Sequence, residues 1–542
     1  MPQWSFGAFF MVLVLGIIIF NNFQERNGKK QVLNYTLEDL KKRKRDFKKI
    51  KEYFLKENKN NEEFYIDDQT WSDLEMDKVF SNLDLTLSTA GEHKLYDILR
   101  RISLKKDSLE ERNNIIKELQ SNKKLFKEVR EIFATLGKQA QGNILEILYH
   151  KEKEDFKGNL IIYNILALAA IGSIVSMTVI GYNGLLLLAI ISPINMIVHY
   201  SINKKIQGKV LSIDYLSNIA KACKDLSSIN NKLLEPYTEK LRENIKLCDV
   251  VLKNSSTIGR LEGLDVLGDY LNALFLFQVR SYFKVMANIG DKKSQLTELY
   301  GSLGYIDALS SVAYYRETIP YYSEPNLKEG EKYIISKEAL NPLILDGVAN
   351  DITLGPKGII LTGSNMAGKS TYLRTVGINA ILSQSIYTTL CKDYEGGIFR
   401  IMSSISITDN IAGGESYYLG EAKAVNRILK VIENNNDVLC FIDEIFKGTN
   451  PVERVKAAKE ILIYIINKGA LAMVATHDLE LTVMTDGKYD NYHFEEGMSE
   501  TEGLSFDYKL KEGVCKTRNA IKLLKYLDYP KEIIEGAERT II

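Results

Sequence analysis

GIILTGSNMAGKST (358–371) is the stretch on which the reading of this chain turns. GIILT is short, apolar and suited to a buried strand, and GSNMAGKS (363–370) fits the spacing GxxxxGK[ST] at every fixed position. Gly363 and Gly368 let the backbone curl so that successive N–H groups face phosphate oxygens, and a helix beginning near Lys369 adds its positive end. In such a loop Lys369 reaches the β- and γ-phosphates and Ser370 ligates Mg²⁺. A match of this kind arises by chance in roughly a few per cent of chains of this length, so it needs company.

Company comes from two further strands. VLCFIDE (438–444) is an apolar strand ending in two carboxylates, about 75 residues after the loop. Asp443 at the strand end suits the Mg²⁺ shell, and Glu444 suits the polarisation of an attacking water. LAMVAT (471–476) delivers His477, a residue able to sense the γ-phosphate. The catalytic candidates are therefore Glu444, Lys369 and His477, with Ser370 and Asp443 as the metal ligands.

These residues resemble the MutS ATPases, relatives of the ABC-type nucleotide-binding domains. TGSNMAGKST is similar to their phosphate loop, so the resemblance assigns nucleotide contacts to Gly363, Ser364, Asn365, Met366, Ala367, Gly368, Lys369, Ser370 and Thr371. SITDNIAGGESYYLGEA (406–422) resembles the signature segment that completes a neighbouring subunit's site, with Ser416 as its serine and Tyr418 and Glu421 in the aromatic and acidic places. DEIFKGTNP (443–451) resembles DEIGRGT, which makes Gly448, Thr449 and Asn450 the loop that crosses the dimer. ATHDLEL (475–481) resembles ATHYFEL, and VANDI (348–352) resembles the approach to the loop, with Asn350 near the adenine. FDYKLKEGVCKTRNAIKLLKYLDYPKEIIEGA (506–537) looks like the closing strand and dimerising helices. Upstream, LDLTLSTAGEHKLYDILRRI (83–102) and GYIDALSSVAYYRE (304–317) resemble the start and the end of the family's helical core. The resemblance implies ATP and Mg²⁺ as cofactors and a homodimer formed through the ATPase domain.

Departures from the family pattern bear on function. Only about 55 residues separate the first apolar segment from the core, too few for the domains that carry the Phe-x-Glu mismatch wedge, so mismatch recognition is not expected. Glu415 replaces a basic residue of the usual signature, and Pro451 follows the crossing loop. Double-stranded DNA is a candidate partner by family analogy alone, which does not establish function. The competing reading is an ATP-dependent membrane scaffold or switch with a membrane-protein partner. An ABC-type transporter component ranks lowest.

Composition is neutral on that choice. The chain has 542 residues with 70 Lys plus Arg against 70 Asp plus Glu, which gives no overall basic footprint. Its five cysteines are scattered, without a CxxC pair, so reduced thiols in a cytosolic body are expected.

A second theme is apolar. WSFGAFFMVLVLGIIIFNNF lies in an uncharged run, 1–24, with no basic residue ahead of it and no small-x-small site after it; an uncleaved anchor is favoured over a secretory signal. About 45 residues, Gly158–Asn203, then contain no Asp, Glu, Lys or Arg. Within them, 160–180 and 185–202 flank GYNG, and each is near the roughly 20 residues that cross hydrocarbon. KKRKRDFKKIK (41–51) and Lys204–Lys205 put both flanks in the cytoplasm, on the side where ATP is found. LNALFLFQV (271–279) is flanked by charges and has helical spacing, so it is expected in the core rather than in lipid.

The expected fold class is an α/β P-loop ATPase domain, ABC-like and of MutS type, preceded by an all-α lever region that a transmembrane hairpin interrupts. The expected boundaries are an anchor (1–24), a basic helical linker (25–78), a first helical core segment (79–157), the membrane hairpin (158–203), a second helical core segment (204–330) and the ATPase domain (331–542). The expected location is a multi-pass cell-membrane protein with three helices in lipid and its ATPase domain in the cytoplasm.

Overall fold

The computed structural model describes residues 37–57, 64–149, 155–180, 182–259, 265–363, 367–406, 417–447, 449–499, 503–515, 524–527 and 529–539. Among the described residues the chain is helical as far as Arg316 and mixed α/β from Asn326 onward, in line with the expected class. The expected anchor (1–24), Ser364, Asn365, Met366, Gly448, Glu415 and Ser416 lie outside the described residues.

Two compact units interleave along the sequence. The first comprises 1–58, 84–97 and 115–314, and the second 59–83, 98–114 and 315–542. Residues 59–83, read from sequence as linker and the start of the helical core, thus cluster with the α/β unit.

In the first unit, α1 (Phe47–Lys56) is capped by Asp46, whose carboxylate accepts from Lys49 N–H, and it buries Ile50, Tyr53 and Phe54. The basic run before it is not a free cationic patch. Arg43 and Arg45 both close on buried Asp84, Arg45 Nε at 2.9 Å with its side chain only 3% exposed. A charge pair this enclosed is a folding contact, and two of the five cations in KKRKR are committed to it. The helix α2 (Lys123–Leu136) begins at an Asn122 cap and stops at Gly137, whose φ of +66° suits a helix terminus.

Two long helices follow, α3 (Phe156–Ile180) and α4 (Tyr182–Ser227). They pack along one another, and α4, 46 residues in all and about 70 Å long at 1.5 Å per residue, runs on past Lys204 and Lys205. Two shorter helices, α5 (Asp265–Phe275) and α6 (Phe277–Ile289), pack against both. The long α7 (Lys293–Arg316) then brings Asp307 to Ser88, the N-terminal residue before the helix Thr89–Arg100. Buried Asp307 accepts from Ser88 N–H (2.8 Å) and Ser88 Oγ (2.6 Å), which joins the two upstream family-like segments. Their backbones approach so closely that a Cβ on Gly304 would stand 2.4 Å from the Ala90 carbonyl oxygen. Gly304→Ala is therefore expected to cost about 1–3 kcal/mol by overpacking and to lower the thermal midpoint. An unchanged melting curve would contradict this packing.

The second unit holds two sheets. Strands β1 (Asn326–Lys328), β2 (Ile334–Ala339), β3 (Asn350–Leu354) and β5 (Asp393–Gly397) form one, in the order β1-β5-β2-β3. The other contains β4 (Gly358–Thr362), β6 (Arg400–Ser404), β7 (Val438–Asp443), β8 (Leu471–Ala475), β9 (Tyr489–Ser499) and β10 (Gly503–Glu512), in the order β10-β9-β4-β8-β7-β6. All neighbours in it are parallel except β9 and β10. The middle strands β4 and β8 are buried at every residue, as parallel strands covered on both faces must be. On one face Ile360, Ile442 and Val474 pack with Ile428 and Ile432 of α9 (Tyr417–Asn434) and with Leu462 and Ile465 of α10 (Pro451–Asn467). On the other, Phe441 meets Gly377 of α8 (Lys369–Ser385). The edge strand β6 is covered by the short helix Asp68–Asp73, which removes an exposed pairing edge.

Candidate nucleotide site

Parallel pairing aligns the C-terminal ends of β4, β7 and β8, with Leu361 and Asp443 both in register with Ala475. Ligands of open α/β sheets bind at such strand ends. From β4 the chain turns at Gly363 (φ +129°), where a Cβ would lie 2.6 Å from the Phe494 carbonyl oxygen. Gly368 (φ +103°) then starts α8. Both glycines hold backbone that side chains resist, as the loop motif requires.

Lys369 is buried at the first position of α8. Its Nζ donates to the Gly363 carbonyl and lies 3.1 Å from His477 Nε2. Burial lowers its pKa to about 8. Ser370 Oγ donates to Asp443 Oδ2. Burial raises the pKa of Asp443 against the opposing pull of that hydrogen bond. Ala367 is buried, and Thr371 is exposed at the mouth of the site.

Glu444 follows directly, with its backbone in the left-handed region (φ +56°) and its N–H bonded to the Ala475 carbonyl (2.9 Å). A glutamate in that conformation costs energy that the surrounding structure has to offset, and such residues cluster at functional sites. Its carboxylate reaches His477 Nε2 (3.2 Å) and Lys447 Nζ (3.0 Å). The hydrogen bond with His477 and the Lys447 ammonium hold its carboxyl at about 2. One imidazole nitrogen cannot both donate to Glu444 and accept from Lys369, so the tautomer of His477 selects which partner it serves. Sequence reasoning brought Lys369, Ser370, Asp443, Glu444 and His477 to one place, and they are together here.

Beside them opens a cavity of about 650 Å³, lined among others by Val348, Asn350, Thr371, Tyr372, Phe494 and Tyr508. Its size and mixed lining suit a nucleoside. The Asn350 amide faces β10, donating to the Tyr508 carbonyl (2.9 Å) and accepting from Leu510 N–H (2.8 Å). It thereby fixes the bulge that carries Tyr508 (φ +52°) to the cavity wall.

Several contributors were not legible in advance. Asp73 accepts from Ser403 Oγ (2.7 Å), Ile405 N–H and Ser406 N–H (both 2.9 Å), and so holds the chain that leads into 407–416. No local signal marks an aspartate 330 residues upstream as part of this domain. Glu421 is buried and accepts from Lys447 N–H (3.1 Å), while Tyr418 packs on Phe446, so both support the loop after β7 in their own chain. Asn450 caps α10 by accepting from Val452 N–H (2.9 Å), and Pro451 occupies the first helical turn. Pro451 is thus a local helix-start device, which accounts for that departure from the family pattern.

Residues 359–542 match the family profile described as MutS domain V. The chain is 29% identical over 269 residues to the DNA mismatch repair protein MutS of Thermotoga maritima, covering 47% of this chain and 32% of that protein. It is 32% identical over 262 residues to the Aquifex pyrophilus protein of the same name, covering 46% and 30%. Similarity extends to the DNA mismatch repair protein msh3 of Emericella nidulans, 28% over 277 residues, covering 48% and 25%. The chain spans about a third of the length of the first two relatives and a quarter of the third. Its C-terminal region is thus similar to the MutS ATPase domain, a domain of P-loop type, and roughly half of the chain is distantly similar to the mismatch repair proteins.

Proposed function

We propose that this chain is a membrane-anchored ATPase of MutS type that holds and hydrolyses ATP in composite sites shared by two copies of itself. The observation that carries the reading is the meeting of a buried ammonium, a hydroxyl–carboxylate pair and a strained, ionised glutamate at aligned strand ends, beside a nucleoside-sized cavity. Lys369 binds the β- and γ-phosphates with the N-terminus of α8. Tyr508 and Phe494 wall the nucleoside, with Asn350 positioning Tyr508. Ser370 and Asp443 offer hard oxygen donors already in contact, which fits Mg²⁺, and the ion when bound would draw charge from the phosphates. Glu444 is a weak base with its carboxyl near 2, so it orients the attacking water. Phosphoryl transfer asks for little more than such positioning. His477 links Glu444 to Lys369 and carries news of the γ-phosphate between them. Ser416 caps the site of the partner copy, on the strength of the family resemblance.

The membrane reading rests on an inverted packing pattern. Where α3 meets α4 the buried residues include Ala167, Ala170, Ser173 and Asn195, while Leu168, Leu186, Ile190 and Ile197 point outward and are 61–70% exposed. Only 17% and 11% of the most apolar windows of these helices are buried, the opposite of a soluble core helix. Small residues inside and large apolar ones outside are what helices packed in hydrocarbon display.

The relatives' names favour DNA as the ligand. Two observations favour a protein partner instead, namely the equal totals of basic and acidic residues and the commitment of Arg43 and Arg45 to Asp84. Retention of a short DNA duplex by the nanodisc-embedded protein, with and without ATP, decides between them. If DNA is the ligand, retention depends on ATP, falls steeply as salt rises and is indifferent to a mismatch. ATP turnover without DNA retention in any nucleotide state would overturn the DNA reading and assign the output to a membrane-protein partner.

A further inference from the structure

The stretch LNALFLFQV (271–279), read from sequence as soluble core, forms the turn of a tight helical hairpin. Helices α5 and α6 are joined by a single residue, buried Leu276, in the left-handed conformation (φ +55°, ψ +35°) that leucine resists. The fully buried Asn195 of α4 shows where this turn stands. Its Nδ2 donates to the Leu274 carbonyl at 2.7 Å and to the Leu166 carbonyl of α3 at 3.2 Å. Asn195 lies eight residues before Asn203, and Leu166 eight residues after Gly158, the two ends of the uncharged run. At 1.5 Å per residue the turn is therefore about 12 Å inside both ends, close to the middle of a slab about 30 Å thick.

The flanks of the hairpin change character with depth. Along α6, Phe283 packs on Tyr163 (centroids 5.0 Å apart) and Arg280 Nε donates to Asn164 Oδ1 at 2.8 Å, while Lys284, one turn further from the tip, is exposed. Along α5, exposed Asp269 and Tyr270 precede the apolar tip. Leucine and phenylalanine thus occupy the tip and charged residues follow on both legs, with Arg280 tied to a polar partner, Asn164, that stands inside the uncharged run. The last carbonyls of α5 have no intrahelical partner, and a carbonyl left bare in hydrocarbon costs several kcal/mol.

We propose that Asp265–Ile289 is a re-entrant hairpin that enters the acyl-chain region beside α3 and α4, turns at Leu276 near mid-depth and leaves by the face it entered, with Asn195 as its clip. The inference rests on the membrane reading of α3 and α4. The test uses the full chain on a Cys515→Ser background, the other four cysteines being buried, reconstituted in phosphatidylcholine nanodiscs. Nitroxide labels go on Phe275→Cys and Phe277→Cys at the tip. Leu187→Cys on α4 serves as the lipid reference, and Leu55→Cys on α1 as the water reference. The tip labels are expected to lose accessibility to a water-soluble nickel chelate and to gain it to oxygen, as the Leu187 label does. Nickel-accessible tip labels beside a lipid-like Leu187 label would overturn the hairpin alone. A nickel-accessible Leu187 label would overturn the membrane reading and the hairpin with it. Adding Asn195→Leu is expected to move the tip labels, and not the Leu187 label, toward the nickel reagent; unmoved tip labels would overturn the role of Asn195.

Discussion

Glu444→Gln is expected to leave ATP binding intact, to slow turnover by about 10²–10⁴-fold and to accumulate a dimer that needs ATP to persist. The magnitude follows from removing the charge that orients water while keeping the side-chain shape. Glutamine still accepts a hydrogen bond from Lys447 or His477, so the loop after β7 keeps its support. The dimer follows from the proposed sandwich. ATP favours the closed pair only through contacts missing from the open one, and without hydrolysis those contacts are not released. Light scattering on the detergent-solubilised variant, with ATP, with ADP and with no nucleotide, reads the outcome. Equal dimer content in all three conditions would refute the shared site, and unaltered turnover would remove Glu444 from the chemistry.

Lys369→Ala is expected to weaken ATP binding by about 1.5–3 kcal/mol, roughly 10- to 150-fold, the usual worth of a hydrogen bond to a charged group. It should produce no ATP-held dimer. The wild-type protein adds a pH signature. Burial brings the Lys369 pKa down to about 8 in the nucleotide-free site, and phosphates beside it favour the ammonium form. Below pH 8 the ammonium is already present, so affinity is at its highest. As pH rises through about 8, binding must take up a proton, and affinity falls by up to about tenfold per pH unit until the bound-state pKa is reached. Calorimetry in two buffers of different ionisation enthalpy measures that uptake directly. Lys369→Arg should abolish it, because guanidinium stays charged throughout. Proton uptake unchanged in the arginine variant would point to a different titrating group.

Much of the candidate site was legible because its determinants are local. A glycine-framed loop after an apolar strand, and carboxylates ending another, are dictated by backbone geometry over a few residues, and the order of elements carries them to one sheet edge. The apolar helices were legible for the same reason, since their character is written in a continuous run of 46 residues without Asp, Glu, Lys or Arg. Where expectation and structure diverge, the cause is contact between distant positions. Nothing within KKRKR marks Arg43 and Arg45 as folding contacts because Asp84 lies 39 residues beyond Arg45, and residues 64–83 read as linker and the start of the helical core because their partners lie more than 300 residues later.

By itself, then, the sequence determined a glycine-framed phosphate-loop motif after an apolar strand and a long uncharged helical pair, through patterns of 3.6- and 2-residue period and motifs with fixed spacing. Only tertiary structure decided that Asp73 anchors the approach to 407–416, that Asn350 serves β10, and that Asn195 of α4 closes on the Leu274 carbonyl in LNALFLFQV. The physical reason is that a hydrogen-bonding group buried away from water must find a partner wherever the fold presents one, and that partner's place in the chain is not written in the residues beside it.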